Sequence, residues 1–232
     1  MTTRILAIAR LQALGRRDGL LWPLVIIGIA FTVNLAVFAA AGNAIDEQPV
    51  TGGLASIYVA ALAFGAVAVT QQFPFALGMS VTRREFAISL GLFVLAQSLV
   101  FSVLLVICQA VEEATDGWGM RMRFFGVGFV NHHGVFAQLL IYAAPMLVMS
   151  LIGISFGAVY VRWNVNGVFA MTASLILVLG GAVALITYLK QWPAIGSWLI
   201  DQSALTLYAA LPAAVVPLLA LASWTTLRRA TT

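Results

Sequence analysis

Six apolar blocks, each long enough to cross a bilayer as a helix, predict an all-α membrane protein with six transmembrane helices. Composition agrees: 62% of the 232 residues are hydrophobic and 9% charged, with a mean hydropathy of +1.02. A soluble domain of this size carries about 25% charged residues to cover its surface. The arginines agree as well, because they gather at alternate ends of the blocks rather than along them.

The predicted spans are 20–41, 54–73, 86–111, 135–161, 168–189 and 204–227. Each reaches the roughly 20 residues a helix needs to cross a hydrocarbon core of about 30 Å. Arg4, Arg10, Arg16, Arg17, Arg83, Arg84, Arg162, Arg228 and Arg229 fall on one side. The opposite side holds Arg121, Arg123 and Lys190 beside Asp46, Glu47, Glu112, Glu113, Asp116 and Asp201. The positive-inside rule then puts both termini in the cytoplasm, N-in and C-in. The tryptophans agree: Trp22, Trp163 and Trp224 lie at predicted cytoplasmic ends, Trp118, Trp192 and Trp198 at or beyond the outer ends. Residues 1–18, and 3–17 above all, mix Ile5, Leu6, Ile8, Leu11 and Leu14 with arginines. They are expected to form an interfacial helix along the inner leaflet, followed by a span too long for a cleavable signal; a basic tail that only enforces topology is the plainer alternative. Residues 20–227 form the six-helix bundle and 228–232 a cytoplasmic tail. The outer loop 112–131, rich in Gly and aromatics, is expected to dip partly into the interface.

Several chemistries are excluded. No phosphate-binding G-x-x-x-x-G-K-[ST] motif, H-E-x-x-H motif, nucleophile elbow or cysteine pair is present. The eight acidic residues lie in predicted loops or at helix ends, which argues against an enzyme and against a carrier driven through embedded carboxylates. No catalytic or metal site is expected: adjacent His132 and His133 point in different directions on a helix and chelate poorly as a pair. Cys108, the single cysteine, reads as a small buried hydrophobe. The basic balance, with pI near 9.7, reflects topology and does not point to nucleic acid. Uncharged polar residues within spans, including Asn34, Gln97, Ser150 and Ser155, read as interhelical glue. Gly153-x-x-x-Gly157 permits close helix approach, within or between subunits, and Pro212 and Pro217 are expected to kink the sixth span.

The segment 71–86, QQFPFALGMSVTRREF, carries the most specific signal. Pro74 is expected to end the second span at Phe73, and Gly78 to permit a sharp turn. Thr82-Arg-Arg-Glu85 matches a capping box that starts a new helix. Two readings fit on physical grounds: a tight loop whose arginines satisfy topology, or a structured contact element on the cytoplasmic side.

Six spans, a basic interfacial segment and F-P-F-A-L-G-M-S-V-T-R-R-E-F between spans two and three resemble the permease subunits of ABC-2-type exporters. The architecture covers nearly the whole chain; the motif covers about 14 residues. The resemblance implies that Gly78, Met79, Ser80, Val81, Thr82, Arg83, Arg84 and Glu85 form a coupling helix that docks on a separate ABC ATPase subunit. It implies that ATP and Mg are bound by that partner and not by this chain. It implies a dimer with itself or a paralogous permease, in the bacterial plasma membrane. Transport would run along the dimer interface, and candidates for the translocation path are Asn34, Tyr58, Ala61, Gly65, Gln97 and Thr172, with Ala68 and Ile176 beside them. The alternative class is a non-transporting polytopic module acting as sensor, assembly factor or immunity protein.

Overall fold

The computed structural model describes residues 18–41, 51–126 and 134–229. The segment 1–17, the histidine pair at 132–133 and the extreme C-terminus at 230–232 lie outside them. All the regular elements described are helical. Helix α1 is Asp18–Ala41 and α2 is Ala55–Val67; a π turn at Ala68–Gln72 joins α2 to the short α3, Phe73–Gly78. Helix α4 is Arg83–Ala114, α5 is Val135–Tyr188 and α6 is Trp192–Asp201. A second π turn, Thr206–Ala210, leads into α7, Leu211–Arg228. Among the described residues five helical stretches are long and apolar enough to cross a membrane. Their outer surfaces carry Val33, Val100, Val103 and Leu177, each at least 47% exposed, apolar surface on a scale that water tolerates poorly and lipid accepts.

Predicted spans four and five both lie within α5, which is two helices joined end to end across a kink with no loop between them. Asn164 interrupts it with φ +55° and ψ −153°, a positive-φ conformation outside the left-handed helical region that residues with a side chain rarely adopt. A Cβ placed on Gly167 would lie 3.2 Å from Cγ1 of Val159, eight residues earlier. Along an unbroken helix that separation is about 12 Å, so the chain turns sharply at Asn164. Residues 135–163 pack into the bundle, whereas 165–188 are mostly exposed.

The bundle is held by α2 against the first arm of α5. Gly153 sits where a Cβ would collide with the carbonyl of Leu62, and Gly65 where it would collide with the carbonyl of Ser150. At Gly157 the obstacle is the Ala66 carbonyl, 2.8 Å away. Backbone meets backbone along this seam, so the small residues of the fourth predicted span pack within the chain.

Two clusters flank the seam. One gathers Phe73, Phe86, Leu90, Val94, Leu151, Ile154, Ala158 and Leu227 and marks what is called below the elbow end. The other gathers Ile27, Leu54, Ile57, Phe101, Leu105, Met122, Phe124, Tyr142 and Met146 and marks the loop end.

Each of these two π turns is separated from a proline by one residue, Phe73 before Pro74 in one case and Leu211 before Pro212 in the other. A proline inside an α-helix lacks the N–H for the carbonyl four residues back and presses its ring on it. Widening the turn by one residue moves that carbonyl, on Thr70 or Tyr208, out of the way. The expectation that Pro74 ends the second span is therefore corrected: Phe73 stays helical at φ −63° and ψ −49°, and its N–H reaches the Val69 carbonyl.

The polar side chains within the spans bond mostly to their own helix. Ser98 donates to the Val94 carbonyl at 2.7 Å, Ser150 to that of Met146 at 3.0 Å, and the Asn34 amide to that of Ala30 at 2.8 Å. The interhelical role expected of them is met by Ser155, whose hydroxyl lies 2.8 Å from that of Ser223 on α7.

Gly153→Ala is expected to force α2 and α5 apart at a cost of about 1–3 kcal/mol, the usual penalty of overpacking. Gly180→Ala, where a Cβ meets nothing within 4 Å, serves as the control. Thermal denaturation of the detergent-solubilised protein, followed by size-exclusion chromatography, should show a lower midpoint for the first and no loss for the second.

Candidate functional site

The elbow between α2 and α4 is built from two helix-ending devices placed back to back. At the end of α3 the Val81 N–H donates to the Ala76 carbonyl at 3.1 Å, and the Ser80 N–H to that of Leu77 at 3.0 Å. This is the Schellman arrangement, in which the residue after the cap turns left-handed and satisfies the last carbonyls. Ser80, with φ +60°, takes that position. The sequence reading gave the turn to Gly78; the correction is that Gly78 sits in the last turn of α3. The register follows from Val81, which must point inward to join the elbow-end cluster.

Helix α4 then starts on the predicted capping box. The Thr82 hydroxyl accepts from the Glu85 N–H at 3.2 Å. Glu85 Oε2 accepts from the Thr82 N–H at 3.0 Å and from the Thr82 hydroxyl at 2.9 Å. The carboxylate is buried, and its position satisfies donors that the helix start would otherwise leave open. Below it, Phe73 and Phe86 meet edge to face at 5.2 Å and close the two limbs of the elbow.

The eight residues nominated for coupling divide into three groups. Val81 and Glu85 face inward. Arg83 donates from Nη1 to the Arg228 carbonyl at 2.8 Å, a cation at the C-terminal end of α7 where the helix dipole favours it. Gly78, Met79, Ser80, Thr82 and Arg84 are exposed. Phe75, which the sequence reading left out of the nominated set, is 70% exposed and stands beside Met79, itself 59% exposed. The signal for Phe75 is its place two residues after the buried Phe73 on one helix, about 200° round the axis.

The residues nominated for a translocation path are not brought together. Ala61 and Gly65 are buried in the seam with α5, Ala68 lies in the elbow-end cluster, and Gln97 is buried within the bundle. Tyr58 packs at the loop end, Asn34 bonds within α1, and Thr172 and Ile176 lie on the exposed arm of α5.

A second constellation sits at the loop end, where no local motif announces it. Helix α4 runs three residues past the predicted span, so Glu112 and Glu113 are helical rather than in the loop. Asp116, Gly117, Trp118 and Gly119 then take φ of +50°, +68°, +61° and +74°, and the chain doubles back along α4. Glu112, 3% exposed, accepts from the Phe124 and Phe125 N–H groups at 2.9 Å each on Oε2 and from the Gly126 N–H at 2.8 Å on Oε1. The Trp118 indole N–H approaches the same carboxylate at 3.4 Å. The Tyr142 hydroxyl lies 2.8 Å from Gln109 Oε1 and 2.9 Å from the Phe125 carbonyl oxygen, while the Gln109 amide donates to Glu113 at 3.1 Å. Phe31 of α1 is ringed by Trp118, Phe124 and Phe125 at 4.9, 5.4 and 5.7 Å. The expected dip of this loop into the interface is thus a fold-back into the bundle itself. With its acceptor positions filled by backbone donors, Glu112 is arranged to hold chain in place rather than to act as a base. Among the described residues no group of three or more His, Cys, Asp or Glu side chains gathers as a metal site.

Comparison with protein-family models, curated proteins and solved structures finds no match to this chain.

Ser80→Val is expected to destabilise the elbow by about 1–2 kcal/mol, because a β-branched residue resists φ near +60°. Ser80→Gly should hold or raise the melting midpoint. Measured side by side in detergent, the two substitutions should therefore shift stability in opposite directions or leave only the valine variant impaired.

Proposed function

We propose that the chain is the membrane-spanning subunit of an ATP-driven exporter in the bacterial plasma membrane. It pairs with a second copy or a paralogous permease, and each permease engages a separate ABC ATPase subunit that binds ATP and Mg. The observation that carries this reading is the elbow. A tight loop needed only for topology has no use for a Schellman end, a capping box and a buried carboxylate within ten residues. Those devices hold Phe75, Met79, Ser80 and Arg84 in one fixed surface, and a fixed apolar and cationic surface suits a groove on a partner.

The same reading takes α5 as two spans. Each arm about Asn164, at about 1.5 Å per residue, is longer than the roughly 30 Å hydrocarbon core. Six spans then return both termini to the cytoplasm, on the side of the elbow. Force on the elbow reaches α2 and α4 through the Phe73–Phe86 contact, and α7 through the Arg83 bond to Arg228. ATP-driven closure of the partner subunits would shift this helix packing between two arrangements. A path with few formal charges favours amphiphilic or apolar cargo.

Arg84 rather than Arg83 is the residue to test, because Arg83 is committed to α7. Arg84→Glu is expected to reduce co-purification of an ATPase bearing a phosphate-binding loop by about tenfold, the effect of about 1.4 kcal/mol at an interface. The variant should elute as wild type on size exclusion. Recovery of no such ATPase with the wild-type chain, or equal recovery with Arg84→Glu, would overturn the assignment in favour of a non-transporting membrane module.

A further inference from the structure

We propose that residues 122–126 are a releasable plug, closed over the loop end of the bundle by the Glu112 carboxylate. The plug is deeply placed: Met122 and Phe124 are fully buried and Phe125 is 6% exposed. It touches three helices at that end, α1, α4 and α5, and the segment leading into α2. Phe124 and Phe125 meet Phe31 of α1. Phe124 lies so close to Gly53, just before α2, that a Cβ there would strike its ring. Glu112 of α4 takes three of its N–H groups, and Tyr142 of α5 lies 2.9 Å from its Phe125 carbonyl.

Its attachment is unlike that of the rest of the core. The segment belongs to no helix, so no ladder of its own holds it. Three consecutive backbone N–H groups end on one side chain, and the Arg123 carbonyl accepts from the Thr51 N–H at 3.2 Å. Loss of one carboxylate oxygen therefore frees several donors at once, and a buried unpaired donor is costly enough to drive the segment outward. The chain leading into the plug is already held in four left-handed residues, two of them non-glycine, Asp116 and Trp118. Such backbone persists only while its surroundings enforce it. With its consecutive N–H groups gathered on one carboxylate and a strained lead-in, the segment is a unit distinct from the helices, of the kind that opens sub-globally while they stay packed. Its release opens the space between α1, α2, α4 and α5 to the loop-end surface. The plug is independent of the exporter reading, since nothing in it refers to an ATPase or a cargo.

The test uses the full chain in lipid nanodiscs, so that both faces meet the reagent. Cys108→Ser removes the native thiol, and a reporter cysteine is placed either in the plug (Met122→Cys) or in the elbow-end core (Val94→Cys, fully buried). With Glu112 intact, a polar maleimide is expected to label the plug reporter at least about tenfold faster than the core reporter. Glu112→Gln should accelerate the plug reporter by about a further tenfold, leave the core reporter unchanged, and be mimicked far less by Glu113→Gln. Equal labelling rates at the two positions in the Glu112 protein would show that the segment opens only with the whole bundle, and would overturn the proposal even if Glu112→Gln failed to fold. A plug reporter indifferent to Glu112→Gln would equally overturn it.

Discussion

Everything in this bundle is arranged around one constraint: α2 and the first arm of α5 touch through their backbones. Gly65, Gly153 and Gly157 leave no side chain between the two helices, so carbonyls of one lie where a Cβ of the other would be. In lipid, apolar side chains gain little by leaving the solvent, and close van der Waals approach of small residues is the main source of helix association. The seam fixes the distance between the two helices, and the two hydrophobic clusters form at its ends. The elbow and the fold-back loop are each anchored to one of those clusters, and so both depend on the seam for their position.

The two prolines illustrate how such a bundle keeps its backbone satisfied. Where no water reaches the chain, an unmet carbonyl costs several kcal/mol, so a proline cannot simply break a span. Pro74 and Pro212 are each preceded by one π turn, which absorbs the missing donor and lets the helix continue. The same economy explains the serines and threonines, most of which bond to a carbonyl one turn back. It also explains why, among the described residues, the buried carboxylates Glu85 and Glu112 lie where a helix starts or ends. Glu85 closes the start of α4 and Glu112 its far end, each facing N–H groups that have no other acceptor.

Much of the elbow was legible in the sequence because its signals are local. Thr82 and Glu85 stand three apart, and a capping box needs nothing beyond that spacing. The apolar blocks were legible for the same reason, since span length is a property of consecutive residues. The break at Asn164 was half legible: Arg162, Asn164 and Asn166 interrupt the apolar pattern, but whether the chain forms a loop or one sharply turned helix depends on the φ of a single residue. Ser80 was missed because glycine is the usual left-handed residue and Gly78 stood nearby. What decided between them was the inward direction of Val81, set by a cluster drawn from α2, α4, α5 and α7.

The sequence by itself determined an all-helical chain with apolar stretches of spanning length, the bend between the second and third of them, and the cap that starts α4. These follow from composition, periodicity and spacings of a few residues, where the physics is local. Only the tertiary structure decided that the glycine pair of α5 packs within the chain, that Arg83 is committed to the end of α7, and that Glu112 clasps a folded-back loop. Each of those joins residues distant in sequence, Arg83 and Arg228 being 145 positions apart. Such a contact is chosen by the competition among all the helix faces for close packing, and no short stretch of residues encodes its outcome.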